Sequence, residues 1–134
     1  MVEILVETEV RPTEDIEKVK KALSTIVILE NFEVKEITTG FKIILLKCNR
    51  KECLEPLRKA IKVQQIEPAV RAYLYKRIED SSLTILIHKQ AAFAGKISLI
   101  DSDRESPLGP IKVEVSGNSE DIEELINYLT SGER

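Results

Sequence analysis

The stretch HKQAAFAGKISLIDSDRESPLGPI, residues 88–111, decides how the second half of the chain folds. Most of it follows neither the two-residue period of a strand nor the 3.6-residue period of a helix. Lys89-Gln90 sets a cation and an amide directly after an apolar run. Ala91-Ala92 and Ala94-Gly95 then supply small residues that allow another backbone or a ligand close approach. Ser106-Pro107-Leu108-Gly109 carries proline second and glycine fourth, the signature of a type I turn, and Pro110 stiffens the exit from it. Three apolar runs flank or cross the stretch, at 83–88, 96–100 and 111–116. Each is predicted to be a strand. His88 should close the first on the face opposite Leu83, Ile85 and Ile87. If these strands are neighbours, the Lys-Gln and Ser-Pro turns lie at strand ends and converge.

Upstream, Val2, Ile4, Val6, Thr8 and Val10 alternate with Glu3, Leu5, Glu7 and Glu9, a strand with one buried and one mostly wet face. Arg11-Pro12 ends it. Thr13 is the expected N-cap of a helix over 14–25, with Glu14, Asp15 and Glu17 in its first turn and Ile16, Val19, Leu23 and Ile26 inward. A second strand is expected around 32–37, then a turn at Thr39-Gly40. Residues 41–48 are apolar on both faces, which suits a covered strand or an interface; a dimer contact is the favoured reading. Helices are predicted over 52–62 and 65–78, and a last one begins after Gly117-Asn118-Ser119, with Ile122, Leu125, Ile126 and Leu129 inward. The prediction is one α+β domain over residues 1–134: an antiparallel sheet of about six strands with helices on one face.

The chain of 134 residues is long enough to bury a core without metals or cross-links. Its charged fraction of 32% exceeds the usual value of about 25%, a weak sign of a hot habitat. A net charge of -3 gives no global field toward nucleic acid or anionic lipid, so such contact would need a local patch. No apolar run reaches the roughly 18 residues of a membrane span, and Met1-Val2-Glu3 opens no signal-peptide pattern. A cytoplasmic protein with Cys48 and Cys53 reduced is therefore expected.

Chemistry-bearing patterns are sparse. Cys48, Cys53 and the single histidine, His88, fall short of the four ligands of a structural zinc site. Asp101, Asp103 and Glu105 alternate like the start of a calcium loop. Ser106 stands where the loop needs glycine and Lys112 where it needs glutamate, so they read as a solvated hairpin loop. No metal, no cofactor and no catalytic residue is predicted. The five glycines are scattered singly, which excludes a phosphate-cradling loop.

Two candidate sites remain. Arg58, Lys59 and Lys62 share one helix face, and with Lys89 they form the candidate phosphate-binding set. Lys89, Gln90, Ser106 and Gly109 form a candidate small-ligand or catalytic set at the converging turns. Aromatic residues make up only 4%, and no stacking motif sits on a strand, so an aromatic base platform is excluded.

Three segments, Glu9-Val10-Arg11-Pro12-Thr13-Glu14-Asp15, Lys89-Gln90-Ala91-Ala92 and Ser106-Pro107-Leu108-Gly109-Pro110-Ile111, resemble the hallmarks of a small archaeal family, uncharacterised protein family 0201. The resemblance covers nearly the whole chain in order. It implies an α+β fold similar to the ribosomal protein that binds the smallest large-subunit rRNA. It also implies a cytosolic, dimeric archaeal protein with a group-level RNA-binding label. The combined expectation is a non-enzymatic interaction protein, a homodimer, with weak RNA binding. A small-ligand site at the two turns is the alternative.

Overall fold

The computed structural model describes residues 2–102, 105–106 and 109–131. Six strands form one antiparallel sheet: β1 (Glu3–Val10), β2 (Glu33–Thr38), β3 (Phe41–Cys48), β4 (Ile78–Glu79), β5 (Ser82–Ile87) and β6 (Ile111–Ser116). Their spatial order is β2-β3-β1-β6-β5-β4. Among the described residues there are five α-helices: α1 (Ile16–Ser24), α2 (Glu55–Gln64), α3 (Glu67–Lys76), α4 (Lys89–Phe93) and α5 (Ser119–Thr130). A 3-10 turn at Lys51–Leu54 leads into α2.

Alternation decides which side of the sheet is covered. Ile4, Val6, Thr8 and Val10 on β1 are buried, and so are Ile111, Val113 and Val115 on β6 and Leu83, Ile85 and Ile87 on β5. In register these residues face one another across the strands, Val6 with Val113 and Val113 with Ile85. Val19 and Leu23 of α1, Leu57 and Ile61 of α2, Leu74 of α3 and Ile126 of α5 join them in one apolar cluster. The intervening residues Leu5, Glu7, Ile43, Leu45, Lys112 and Glu114 occupy the other face, half-exposed and flanked by charge. The sheet is thus covered by helices on one face, as alternation predicts.

Helix ends follow local chemistry. Asp15, not the expected Thr13, caps α1, its side chain accepting from Glu17 N at 3.0 Å. Asn118 caps α5 in a reciprocal box with Asp121. Pro56 and Pro68 occupy the first turns of α2 and α3, where no N–H is missed. α2 stops at Gln65, which adopts a left-handed conformation with φ 59°.

The fold departs from expectation in four further places. Residues 96–100 are not a strand: only Leu99 bridges Ile87, with Ile100 N donating to Leu86 O and His88 N to Ser98 O. The phenol of Tyr73 is wedged into that ladder, donating to Ile100 O at 2.7 Å and accepting from Leu86 N at 3.2 Å. The sixth strand is instead β4. The Lys89-Gln90 turn is the start of a short helix, and His88 does not close β5; its Nδ1 accepts from Ala91 N at 3.2 Å as the cap of α4. Finally, Cys48 and Cys53 are not free thiols. The 3-10 turn folds Cys53 back onto the end of β3, with 6.7 Å between Cα atoms, and the two are joined in a disulfide. A disulfide assigns no compartment by itself, because intracellular proteins of hyperthermophiles carry many.

The two edges of the sheet differ. Along β5, β4 covers the first residues, Arg77 Nε donates to Thr84 O at 2.7 Å, Tyr73 meets Leu86, and 98–100 covers the rest. Arg77 also lies over the Tyr73 ring at 5.3 Å. β2, at the opposite edge, is exposed at all six positions.

Candidate functional site

The two predicted turns do converge, at the C-terminal end of β1. Lys89 Nζ donates to Glu9 O at 2.7 Å and to both carboxylate oxygens of Glu14 at 3.1 Å. On the other side, the backbone at Gly109 (φ +88°) passes so near Glu9 that an added Cβ would stand 3.0 Å from its Oε1. Thr8 Oγ1 donates to Pro110 O at 3.0 Å, fixing the start of β6 beside β1. Glu9 therefore lies between the two corners, its backbone on one and its carboxylate on the other.

The residues at this junction are already engaged. The Lys89 side chain is 4% exposed and that of Glu14 8%. Burial holds the Lys89 ammonium below its ordinary pKa, and the Glu14 carboxylate opposes that shift. Glu14 Oε1 also accepts from Arg11 N at 2.9 Å, and Arg11 pairs with Glu9 at 3.2 Å. Ser106 Oγ donates to Gly109 O at 2.7 Å, and Gly109 N donates to Ser106 O at 2.9 Å. That last bond is the closing bond of the predicted turn; Pro107 and Leu108, its middle residues, lie outside the described residues, as does Asp103 of the acidic loop. Glu105 accepts from Asp101 N and Ser102 N, so its carboxylate closes that loop. A shallow cleft of about 280 Å³ adjoins Lys89, lined also by Thr13, Asp15, Lys18, Gln90 and Phe93. Gln90 stands exposed on it, but neither Ser106 nor Gly109 reaches it. Lys89 and Gly109 meet at Glu9, but the four candidate ligand residues do not line one pocket. Glu14, the partner of Lys89, was legible only as a first-turn acid.

The basic set divides. Lys89 is buried at the junction just described and does not join the α2 cations. Arg58 turns toward α5: its Nε donates to Tyr128 O at 3.1 Å, its guanidinium lies over the Tyr128 ring at 5.3 Å, and Nη1 meets Glu55 at 3.3 Å. Lys59 and Lys62 are exposed, one turn apart, and have no ion-pair partner among the described residues. Beyond them Gln64, which sequence patterning does not single out, grips the strand-like segment. Its Nε2 donates to Ile97 O at 3.1 Å while its Oε1 accepts from Ile97 N. That clamp sets exposed Lys96 beside the C-terminal end of α2. Of the predicted cationic set, Lys59 and Lys62 remain exposed, and Lys96 is a further exposed cation next to the residue that Gln64 clamps.

Tyr128, beneath this surface, donates its hydroxyl to Glu55. Burial, and then that carboxylate, push its phenol from 10.0 up to about 12. The unfolded chain releases this proton near pH 10, and the folded chain holds it to about 12, so its contribution to stability is lost as pH rises through that window. The melting temperature is expected to fall between pH 10 and about 12 more steeply than in Tyr128→Phe, measured by circular dichroism.

Among the described residues, an antiparallel sheet with its five helices on one side defines an α+β fold. A family model described as RNA binding matches residues 3–117. The chain is 38% identical over 131 residues to a UPF0201 protein of Sulfurisphaera tokodaii, covering 97% of this chain and 88% of that protein. It is 36% identical to one of Metallosphaera sedula, covering 96% and 87%. The crystal structure of a UPF0201 protein from Methanococcus jannaschii superposes with a TM-score of 0.81 at 26% identity, over 96% of this chain and 98% of that one. The chain belongs to the archaeal UPF0201 family, as its three hallmark segments imply. No helix among the described residues is long and apolar enough to cross a membrane.

Proposed function

We propose that the chain is a non-enzymatic RNA-contacting module that acts as a homodimer. The observation that carries this reading is the pair of exposed ammonium groups of Lys59 and Lys62, which have no ion-pair partner among the described residues, with exposed Lys96 following the Gln64 clamp. The RNA binding description of the matching family supports it. Lys59 and Lys62 contact phosphates and Arg58 holds their helix against α5. The net charge of -3 and the lack of an aromatic platform make the contact electrostatic, weak and indifferent to base sequence. A homodimer doubles the number of cationic ridges and so the avidity for one folded RNA.

The test is fluorescence anisotropy with a labelled RNA hairpin over a salt series. Binding is expected at low salt, with the slope of log affinity against log salt falling by roughly 1.5 to 2 in Lys59→Gln/Lys62→Gln. Absence of low-salt binding, or an unchanged slope, overturns the reading. Arg58 is left intact because of its bonds to α5.

A further inference from the structure

We propose that β2 is the dimerisation edge: two copies join β2 to β2 in antiparallel fashion, with Val34 on the two-fold axis, to make one continuous twelve-stranded sheet from two six-stranded ones. This names the interface for the dimer proposed above and rests on that dimer existing; the experiment below separates the two.

Among the described residues, only one edge of the sheet is open. The β5 edge is closed by β4, by the side chains of Arg77 and Tyr73, and by residues 98–100. β2 has six residues, all exposed, including Val34 at 42% and Ile37 at 57%. An open strand of that length is a template for another strand unless charge or shape forbids it. The symmetry then restricts the register. A two-fold axis joining antiparallel edges stands perpendicular to the sheet, so each face continues into the same face of the second copy. Opposed residues must share a face. On β2, Val34 and Glu36 stand opposite Ile44 and Lys42, on the helix-covered side; Glu33 and Lys35 stand opposite Leu45 and Ile43, on the open side. The ladder shifts between Glu36 and Thr38, so the regular part ends there.

Four residues can therefore sit on the axis. Centring on Glu33, Lys35 or Glu36 opposes that charge to its own copy, which is destabilising. Centring on Val34 opposes valine to valine and places Glu33 across from Lys35 of the second copy, twice by symmetry. Within one strand, Glu33 and Lys35 already lie 4.0 Å apart, so the four side chains alternate in sign around the axis. Charge complementarity thus selects a second copy of this chain, in one register. The ladder is short, so it should dissociate at concentrations on the order of micromolar.

The full-length chain is to be examined by sedimentation equilibrium from about 1 µM to 1 mM, a range bracketing that expectation. Wild type is expected to be dimeric at the upper end. Lys35→Glu sets like charges opposite each other twice and should weaken the dimer roughly tenfold to a hundredfold. Glu33→Lys/Lys35→Glu restores opposite signs and should return the affinity to within about threefold of wild type. Melting curves confirm that each variant is folded. A third variant reads the register: Val34→Cys should cross-link to itself under mild oxidation, because directly opposed Cα atoms lie about 5 Å apart, within disulfide range. A wild type that stays monomeric to the top of the range overturns the dimer and this edge together. A dimer indifferent to Lys35→Glu overturns the edge alone. Loss without rescue by the charge exchange, or no cross-link at Val34→Cys, overturns the register.

Discussion

Lys89→Met is expected to lower the unfolding free energy by about 3–5 kcal/mol, the usual cost of leaving one member of a buried ion pair without its partner. The methionine fills much of the same space, so packing is nearly preserved. What is lost is the cation that faces both oxygens of Glu14 and the backbone of Glu9. Glu14 is then left 8% exposed, with no opposing charge from Lys89. Adding Glu14→Gln should recover more than half of the loss, because a neutral amide can still accept from Arg11 N without burying a charge. Guanidinium unfolding of the two variants and wild type measures both effects. If Lys89→Met costs under about 1 kcal/mol, the pair is hydrated and the corner is not the fastener the geometry describes.

Ile85→Ala is expected to cost about 2–5 kcal/mol, while Leu5→Ala should cost less than half as much. Ile85 is 1% exposed and stands opposite Val113, which in turn stands opposite Val6, in the row that the helices cover. Removing its outer carbons leaves a hole between β5 and those helices. Leu5 lies one residue from that row on β1 but points to the open side, between Lys47 and Glu114. Equal losses at the two sites would mean that both faces of the sheet are covered.

The covered face was plain in the sequence because strict alternation on residues 2–10 and 111–116 leaves one reading. The capped start of α5 was equally plain from Asn118 and the acids behind it. Residues 96–100 misled because their apolar pattern is that of a strand, whereas their outcome depends on Tyr73 entering from α3, a contact no local window contains. His88 misled because an imidazole that accepts a backbone N–H is an uncommon helix cap, and its neighbours on β5 are strand-like. The cysteines misled because the reduced thiol is the default where a cytoplasmic chain is expected, while their approach depends on the 3-10 turn that carries Cys53 back to β3. The basic stripe was legible as a stripe, but its division was not. Arg58 turns inward only because Tyr128 and Glu55 wait there, and Lys89 only because Glu14 does.

The position of β1 in the sheet bears on how the chain is made. β1 is translated before the other strands of its sheet yet lies between β3 and β6, and the bond from Thr8 to Pro110 spans 102 positions. While the ribosome is still adding the second half, β1, β2 and β3 can zip together, leaving the β6-facing side of β1 bare. Closure of that side must await residues 111–116, a long-range pairing that slows folding and leaves the nascent β1–β3 unit open to wrong strand pairing with its neighbours on a polysome. The glutamates at positions 3, 7 and 9 alternate along that waiting strand, where their mutual repulsion would hold nascent copies apart until β6 arrives.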